Sequence, residues 1–339
     1  MATVALGMAV VGGEGRKLDD ASHRPSLAYH GGPLLTNPSG LTLHLLWYGS
    51  FSASQQAVIT DFISSFQEAT AAAPSVASWW NNGVSLYTDS SQAPASALLK
   101  LGSIASNPSC SLGKRLKRAD VSLLLEDCIS KGLLPPVDVS RGMDVIYIVV
   151  TSSDVMVENF CMSSCGYHGT AMSGQLPFIW VGNAESQCLG LCAWPFAVPQ
   201  YGPRRSKALL PPSGDAATDG IIINLATLLA GAVTNPFGHG YFPDPINTSA
   251  AASSTGSSSS LMQNSSASAS AYDGVGGGEV EAATACAGMF GKGSYPGFPG
   301  VMLLDAASGA AYNTYGSNKR RFLLPSIWSP STRKCEPPL

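Results

Sequence analysis

The amino-acid sequence predicts a single α/β domain in which a mixed, largely buried sheet is flanked by helices. Three observations carry that expectation. Leu41–Tyr48 (LTLHLLWY) is a nearly continuous apolar run, as a central strand requires, and a helix pattern follows it within a few residues. Residues 144–151 (DVIYIVVT) are β-branched and apolar, the signature of a second buried strand. Residues 221–233 form a third apolar segment, helical in length and composition.

Taken in order, residues 18–40 are Pro- and Gly-rich and read as extended. After the first strand, residues 52–69 form the clearest helix. Ser52 and Gln55 make a capping-box pattern, and Val58, Ile59, Phe62, Ile63 and Phe66 repeat at helical spacing. Residues 74–80 predict a short helix that Asn81, Asn82 and Gly83 should stop. Residues 97–104 suit a strand, and 119–130 a helix ended by Gly132. Residues 178–182 read as a short strand, and 322–328 (FLLPSIW) should pack the C-terminus. Residues 247–278 are Ser, Ala and Gly with almost no apolar anchors, and are expected to form a flexible insert.

The chain has 339 residues, of which 45% are hydrophobic and 12% charged, against about 25% charged in an average soluble protein. Neutral polar side chains and glycine must therefore supply most of the surface. A net charge of −3 offers no basic footprint for nucleic acid. The basic groups cluster locally, at residues 114–118 and at Lys319, Arg320 and Arg321, and such short clusters read as solvated faces. No segment reaches the roughly 18 consecutive apolar residues of a membrane span.

Eight cysteines stand at Cys110, Cys128, Cys161, Cys165, Cys188, Cys192, Cys286 and Cys335. An even count in a Gly- and Ser-rich chain of low charge points to disulfides and an oxidising compartment. Sequons at Asn247 and Asn264, both in the insert, agree with secretion and glycosylation. Residues 1–18 resemble the end of a signal peptide without its basic start, leaving residues 19–339 as the folded domain.

The apolar segment runs into Thr-Asn-Pro-Phe, and residues 227–236 (TLLAGAVTNP) share a frame with H-E-x-A-E-A-V-T-D-P of some peptidase-like proteins. A zinc-peptidase helix needs ligands at i and i+4 with a Glu between them as base. Thr227 stands at the first ligand position, Leu228 at the base and Gly231 at the second ligand. None of the three binds zinc tightly or takes a proton at neutral pH. Two readings follow: a degenerate zincin-like metallopeptidase scaffold that lacks its metal, or a buried helix without such ancestry.

Several further motifs occur in order: YHGGPLL (29–35), LTLHLLWYGSFSASQ (41–55), PSVASWW (74–80), FCMSSCGYHG (160–169), WVGNAESQC (180–188), CAWPF (192–196) and FLLPSIWSP (322–330). Together they resemble the plant EXORDIUM-like proteins, also called the phosphate-induced protein 1 family, from residue 29 to Cys335. The resemblance implies a secreted plant protein of the apoplast or cell wall, linked to cell expansion, brassinosteroid response and carbon status, with no established enzymatic activity. It also implies that Cys286 and Cys335 pair. The weak signal-like start and the 247–278 insert depart from the family pattern.

Beside that resemblance, the residues leave several chemistries to weigh. Cys161-x3-Cys165-x2-His168 with Cys188-x3-Cys192 is the densest constellation, and disulfides compete there with a zinc site. Cys110 and Cys128 either pair with each other or stay free. His239 follows the apolar helix where a peptidase could place a third ligand, yet one imidazole makes no metal site, and a turn residue is the plainer reading. Glu281 reads either as a relic of an acidic segment that follows such a helix or as a surface glutamate. Trp79, Trp80 and Trp194 are candidates for stacking on a pyranose ring. The expectation is a non-catalytic protein without cofactor or metal, whose partner is a wall polysaccharide or an apoplastic receptor. The alternatives are a metal-dependent hydrolase of wall peptide or carbohydrate and a lectin-like glycan binder.

Overall fold

The computed structural model describes residues 26–68, 73–137, 143–162, 164–198, 207–244, 280–295 and 297–338. The signal-like segment 1–18, the insert 247–278, Asn247 and Asn264 lie outside these residues. The described elements run β1 (Leu27–Tyr29), β2 (Leu41–Tyr48), α1 (Ala53–Ser64), α2 (Val76–Gly83), β3 (Leu99–Asn107), β4 (Arg115–Leu116), α3 (Arg118–Ser130), β5 (Val145–Thr151), β6 (Met156–Val157), β7 (Gly166–Ala171) and β8 (Leu176–Gly182). Then follow α4 (Leu189–Cys192), α5 (Ala216–Thr234), β9 (Tyr241–Pro243) and six short strands, β10 (Leu303–Leu304) to β15 (Lys334–Glu336).

A five-stranded sheet of order β3-β2-β5-β8-β7 forms the centre. β3, β2, β5 and β8 are parallel, and β7 closes one edge antiparallel to β8, so the sheet is mixed as expected. Period-two alternation sends successive side chains to opposite faces. Leu43, Leu45, Trp47, Ile146, Ile148, Val150, Ile179 and Val181 enter the core shared with α1, α2 and α5. Leu46, Tyr48, Tyr147, Val149, Phe178 and Trp180 enter the core beneath α3. Both faces are covered, which is why the strands read as continuous apolar runs.

The expected helices are present with altered limits. In α1, Ser52 accepts from the Gln55 amide and the Gln55 side chain accepts from the Ser52 amide, the capping box read from the sequence. The helix ends at Ser64 rather than residue 69. In α2, Ser75 and Ser78 form a similar box, and Asn81, Asn82 and Gly83 continue the helix instead of stopping it. Gly83 is needed there because an added Cβ would lie 2.5 Å from Ile327 Cδ1. α5 begins five residues earlier than expected, capped by Asp215, whose side chain accepts from the Ala217 amide. Its 19 residues are long and apolar enough to cross a bilayer, yet 78% of that window is buried inside the fold, as for a core helix.

Candidate functional site

Two glycines let α5 press onto the edge of the sheet. A Cβ on Gly166, at the start of β7, would sit 2.7 Å from Leu228 Cδ1 and 2.4 Å from the Trp180 carbonyl oxygen. Leu228 is a packing residue against this edge. Thr227 turns its hydroxyl back into the helix and donates to the Ile223 carbonyl at 2.8 Å. At Gly231 an added Cβ would fall 2.2 Å from Glu281 Oε2 and 3.1 Å from His168 Nε2. The space that a second ligand side chain would need is filled by a carboxylate and an imidazole arriving from elsewhere in the chain.

His168 stands on β7, two residues after Gly166 and so on the same face of the strand. Its Nε2 lies 2.8 Å from Glu281 Oε2, and Glu281 Oε1 accepts from Asn235 Nδ2 at 2.7 Å. Asn235 is the C-cap of α5, and its Oδ1 accepts from the Gly240 amide at 2.8 Å, tying the network to the turn that follows the helix. The Glu281 backbone is held by a short helical turn. Its amide donates to Thr284 Oγ1 and its carbonyl accepts from the Ala285 amide. The Cys286–Cys335 disulfide pins that turn to the C-terminal hairpin of β14 (Ile327–Ser329) and β15.

This arrangement corrects the surface reading of Glu281, which is only 4% exposed. A glutamate held by an imidazole and an amide is hydrogen-bonded as a buried carboxylate must be. Among the described residues, no group of three or more His, Cys, Asp or Glu side chains converges as metal ligands would. His239 lies in an exposed turn, where its carbonyl accepts from the Gly32 amide. The described part of the network joins a carboxylate, an imidazole and a carboxamide. Those groups suit a fixed polar connection between edge strand, helix end and C-terminal segment.

The cysteines sort cleanly. Cys161 bonds Cys188 and Cys165 bonds Cys192, so the two four-residue spacings pair in register and fasten the loop before β7 to α4. The zinc alternative for these four residues is thereby overturned, because disulfide sulfurs have no thiolate to give a metal. Cys286 pairs with Cys335, as the resemblance implies. Cys110 and Cys128 are free and buried, and burial raises the pKa of both thiols.

Of the tryptophans, Trp79 and Trp80 are not available to a sugar. They are 4% and 0% exposed, and their indole N–H groups donate to the carbonyls of Pro325 and Ser96. The adjacent aromatics that suggest a stacking platform are a core pair, packed with Phe66. Trp194 differs. It is half-buried, with ring centroid 5.8 Å from that of Phe290.

A second polar cluster, unmarked by any motif, surrounds the start of α5. Asp219 is buried, and desolvation raises its carboxyl pKa to about 7, even though the Ser213 amide and hydroxyl both donate to Oδ2. Its sequence signal is an acid in the first turn of an apolar helix, which ordinarily marks a helix start and nothing more.

Comparison with known proteins agrees with the motifs. The phosphate-induced protein 1 conserved region matches residues 27–338. Protein EXORDIUM of Arabidopsis thaliana is 39% identical over 331 residues, covering 93% of this chain and 91% of that protein. Protein PHOSPHATE-INDUCED 1 of Nicotiana tabacum is 38% identical over 332 residues, covering 94% and 91%. Protein EXORDIUM-like 1 of Arabidopsis thaliana is 37% identical over 330 residues, covering 94% and 92%. No solved structure matches.

Proposed function

The chain belongs to the phosphate-induced protein 1 family, which includes EXORDIUM, and on that premise we propose that it is a secreted, non-catalytic protein of the plant apoplast or cell wall that promotes cell expansion. One observation carries the non-catalytic part. Gly231 stands at the second ligand position of the peptidase-like frame, and the Glu281 carboxylate fills the gap while hydrogen-bonded to His168 and Asn235. A metal centre would need that volume and that carboxylate, and the protein spends both on cohesion. The degenerate zincin-like scaffold is part of this proposal and rests on the peptidase-like frame of residues 227–236. Three disulfides support an oxidising destination. The growth role rests on the family, and the partner is a wall polysaccharide or an apoplastic receptor.

The test uses the full chain, tagged at its C-terminus and expressed in a plant. Recovery in apoplastic wash or wall extracts, with zinc far below one equivalent per chain, is the expected result. Retention inside the cell sinks the secreted reading, and stoichiometric zinc accompanied by peptidase or glycosidase turnover sinks the non-catalytic one. Longer hypocotyls on overexpression are expected, and unchanged length removes the growth role.

Trp194 favours a second reading, a glycan-binding module. It is the one half-buried tryptophan of the three candidates, and it follows closely on Cys192 in the disulfide-fastened region. Glycan-array binding that disappears in Trp194→Ala would support it.

A further inference from the structure

A cavity of about 160 Å³ lies between α1, the turn preceding α5 and the loop before Phe322. Val58, Pro212, Ser213, Asn318, Lys319, Arg320 and Arg321 line it. Three of these seven side chains are cationic and none is acidic. We infer that this cavity is a binding site for a single oxyanion group, a carboxylate, sulfate or phosphate carried on a larger molecule. The inference is independent of the non-catalytic reading and uses none of the residues of the His168–Glu281 network.

The carboxylates nearby are already engaged by groups of the lining or of the adjoining helix. Asp61 accepts from Asn318 Nδ2 at 2.7 Å and from Arg320 Nε at 2.8 Å, which fixes the guanidinium through its Nε edge. Arg321 pairs through Nη1 with Asp305, and its guanidinium sits 5.1 Å from the Tyr312 ring centroid. Asp215 is occupied in capping α5 and accepts from Thr218 and Gln55, and Asp219 accepts from Ser213. Lys319 is exposed and enters no ion pair among the described residues. Its ammonium is therefore the uncompensated charge at the rim. Two guanidinium groups held by neighbouring carboxylates, with an unpaired ammonium beside them, suit a planar or tetrahedral oxyanion.

The loop that carries these groups is held in an unfavourable shape. Asn318 and Lys319 have φ of +54° and +61°, the left-handed region. Asparagine tolerates it, but a lysine there is strained where glycine would be relaxed. The loop is pinned regardless, by the Ser317 amide donating to Ser65 Oγ at 2.8 Å and by the Gly316 amide donating to the Arg320 carbonyl at 3.0 Å. Strain retained by a rigid frame is a feature of ligand clamps. The volume decides the class of ligand, because complete drug-sized ligands occupy roughly 300 Å³ or more. The cavity therefore fits one anionic group and not a whole oligomer.

The experiment is calorimetric titration of the purified full chain with three probes: sodium galacturonate, inorganic sulfate and inorganic phosphate. At least one should bind with a Kd near or below about 1 mM, weakening as sodium chloride is raised. Selectivity for galacturonate assigns a uronic-acid carboxylate, and selectivity for either mineral anion assigns a sulfated or phosphorylated ligand. Lys319→Ala should weaken binding about tenfold. Lys319→Gly should weaken it as much while raising the melting temperature, because it relieves the backbone strain. That pairing separates a binding lysine from a structural one. No binding by any probe at about 10 mM overturns the inference, as does binding that both Lys319 variants leave unchanged.

Discussion

Gly231→Ala tests the network at the heart of the candidate site. The new methyl carbon would lie 2.2 Å from Glu281 Oε2 and 3.1 Å from His168 Nε2, so the carboxylate has to move by more than 1 Å to restore an ordinary contact. The steric clash alone is mild, since Oε2 ends a flexible side chain. The cost lies in what that side chain holds. Glu281 takes hydrogen bonds of 2.8 and 2.7 Å with His168 and Asn235 in a nearly dry setting. Hydrogen bonds to a charged group contribute about 1.5–3 kcal/mol each. Replacing a helical glycine by alanine returns up to about 1 kcal/mol. Partial loss of both bonds therefore leaves a net destabilisation of about 2–4 kcal/mol, which for a chain of this size is a fall of several degrees in Tm. Denaturant unfolding followed by tryptophan fluorescence reads it directly. In a Glu281→Ala background the same substitution should become neutral or slightly stabilising, and the double-mutant cycle isolates the coupling. Equal stability of Gly231→Ala and the parent in both backgrounds would refute the placement of Glu281 against the helix.

Asp219 makes stability depend on pH. Its carboxyl is raised from 3.8 to about 7 by burial, so the folded state holds a proton that the unfolded chain gives up. That contribution is complete below pH 4, is lost as pH rises through 7, and amounts to at most roughly 4 kcal/mol. The denaturation midpoint should be higher at pH 5 than at pH 8, and Asp219→Asn, which keeps an acceptor for Ser213, should flatten that slope; a parallel slope in the variant rules out Asp219 as its origin. Opening the Cys286–Cys335 bridge with paired Cys→Ala substitutions should cost about 2–4 kcal/mol and loosen the turn that carries Glu281, seen as faster amide exchange at Ala285. Trp79→Ala should destabilise by about 3–5 kcal/mol, whereas Trp194→Ala should stay within about 1–2 kcal/mol, since only Trp79 is fully enclosed; comparable losses would contradict that difference in burial.

Much of the scaffold is legible in the amino-acid sequence, and the reason is periodicity. The apolar runs of Leu41–Tyr48 and Val145–Thr151 report a sheet covered on both faces, and the Ser52–Gln55 pair reports a helix start, because both signals are local. β7 leaves no such mark. As an edge strand with Gly166, Tyr167, His168 and Gly169 only partly buried, it has no apolar stripe to betray it. The two-residue strands near the C-terminus are too short to leave a pattern. Trp79 and Trp80 mislead because an adjacent indole pair looks alike in a core and on a sugar platform; only the positions of the Pro325 and Ser96 carbonyls tell the two apart.

From the residues alone came the α/β class, the disulfide chemistry, the family and the absence of ligands at Thr227, Leu228 and Gly231. Each depends on near neighbours in the chain or on residue identity. Tertiary structure alone decided what fills the gap those residues leave. His168 and Glu281 are 113 positions apart, and no local pattern brings an edge strand, a helix end and a disulfide-fastened turn to one point. The cationic cavity has the same origin: Val58, Ser213 and Lys319 become neighbours only when α1, the turn preceding α5 and the C-terminal loop pack together.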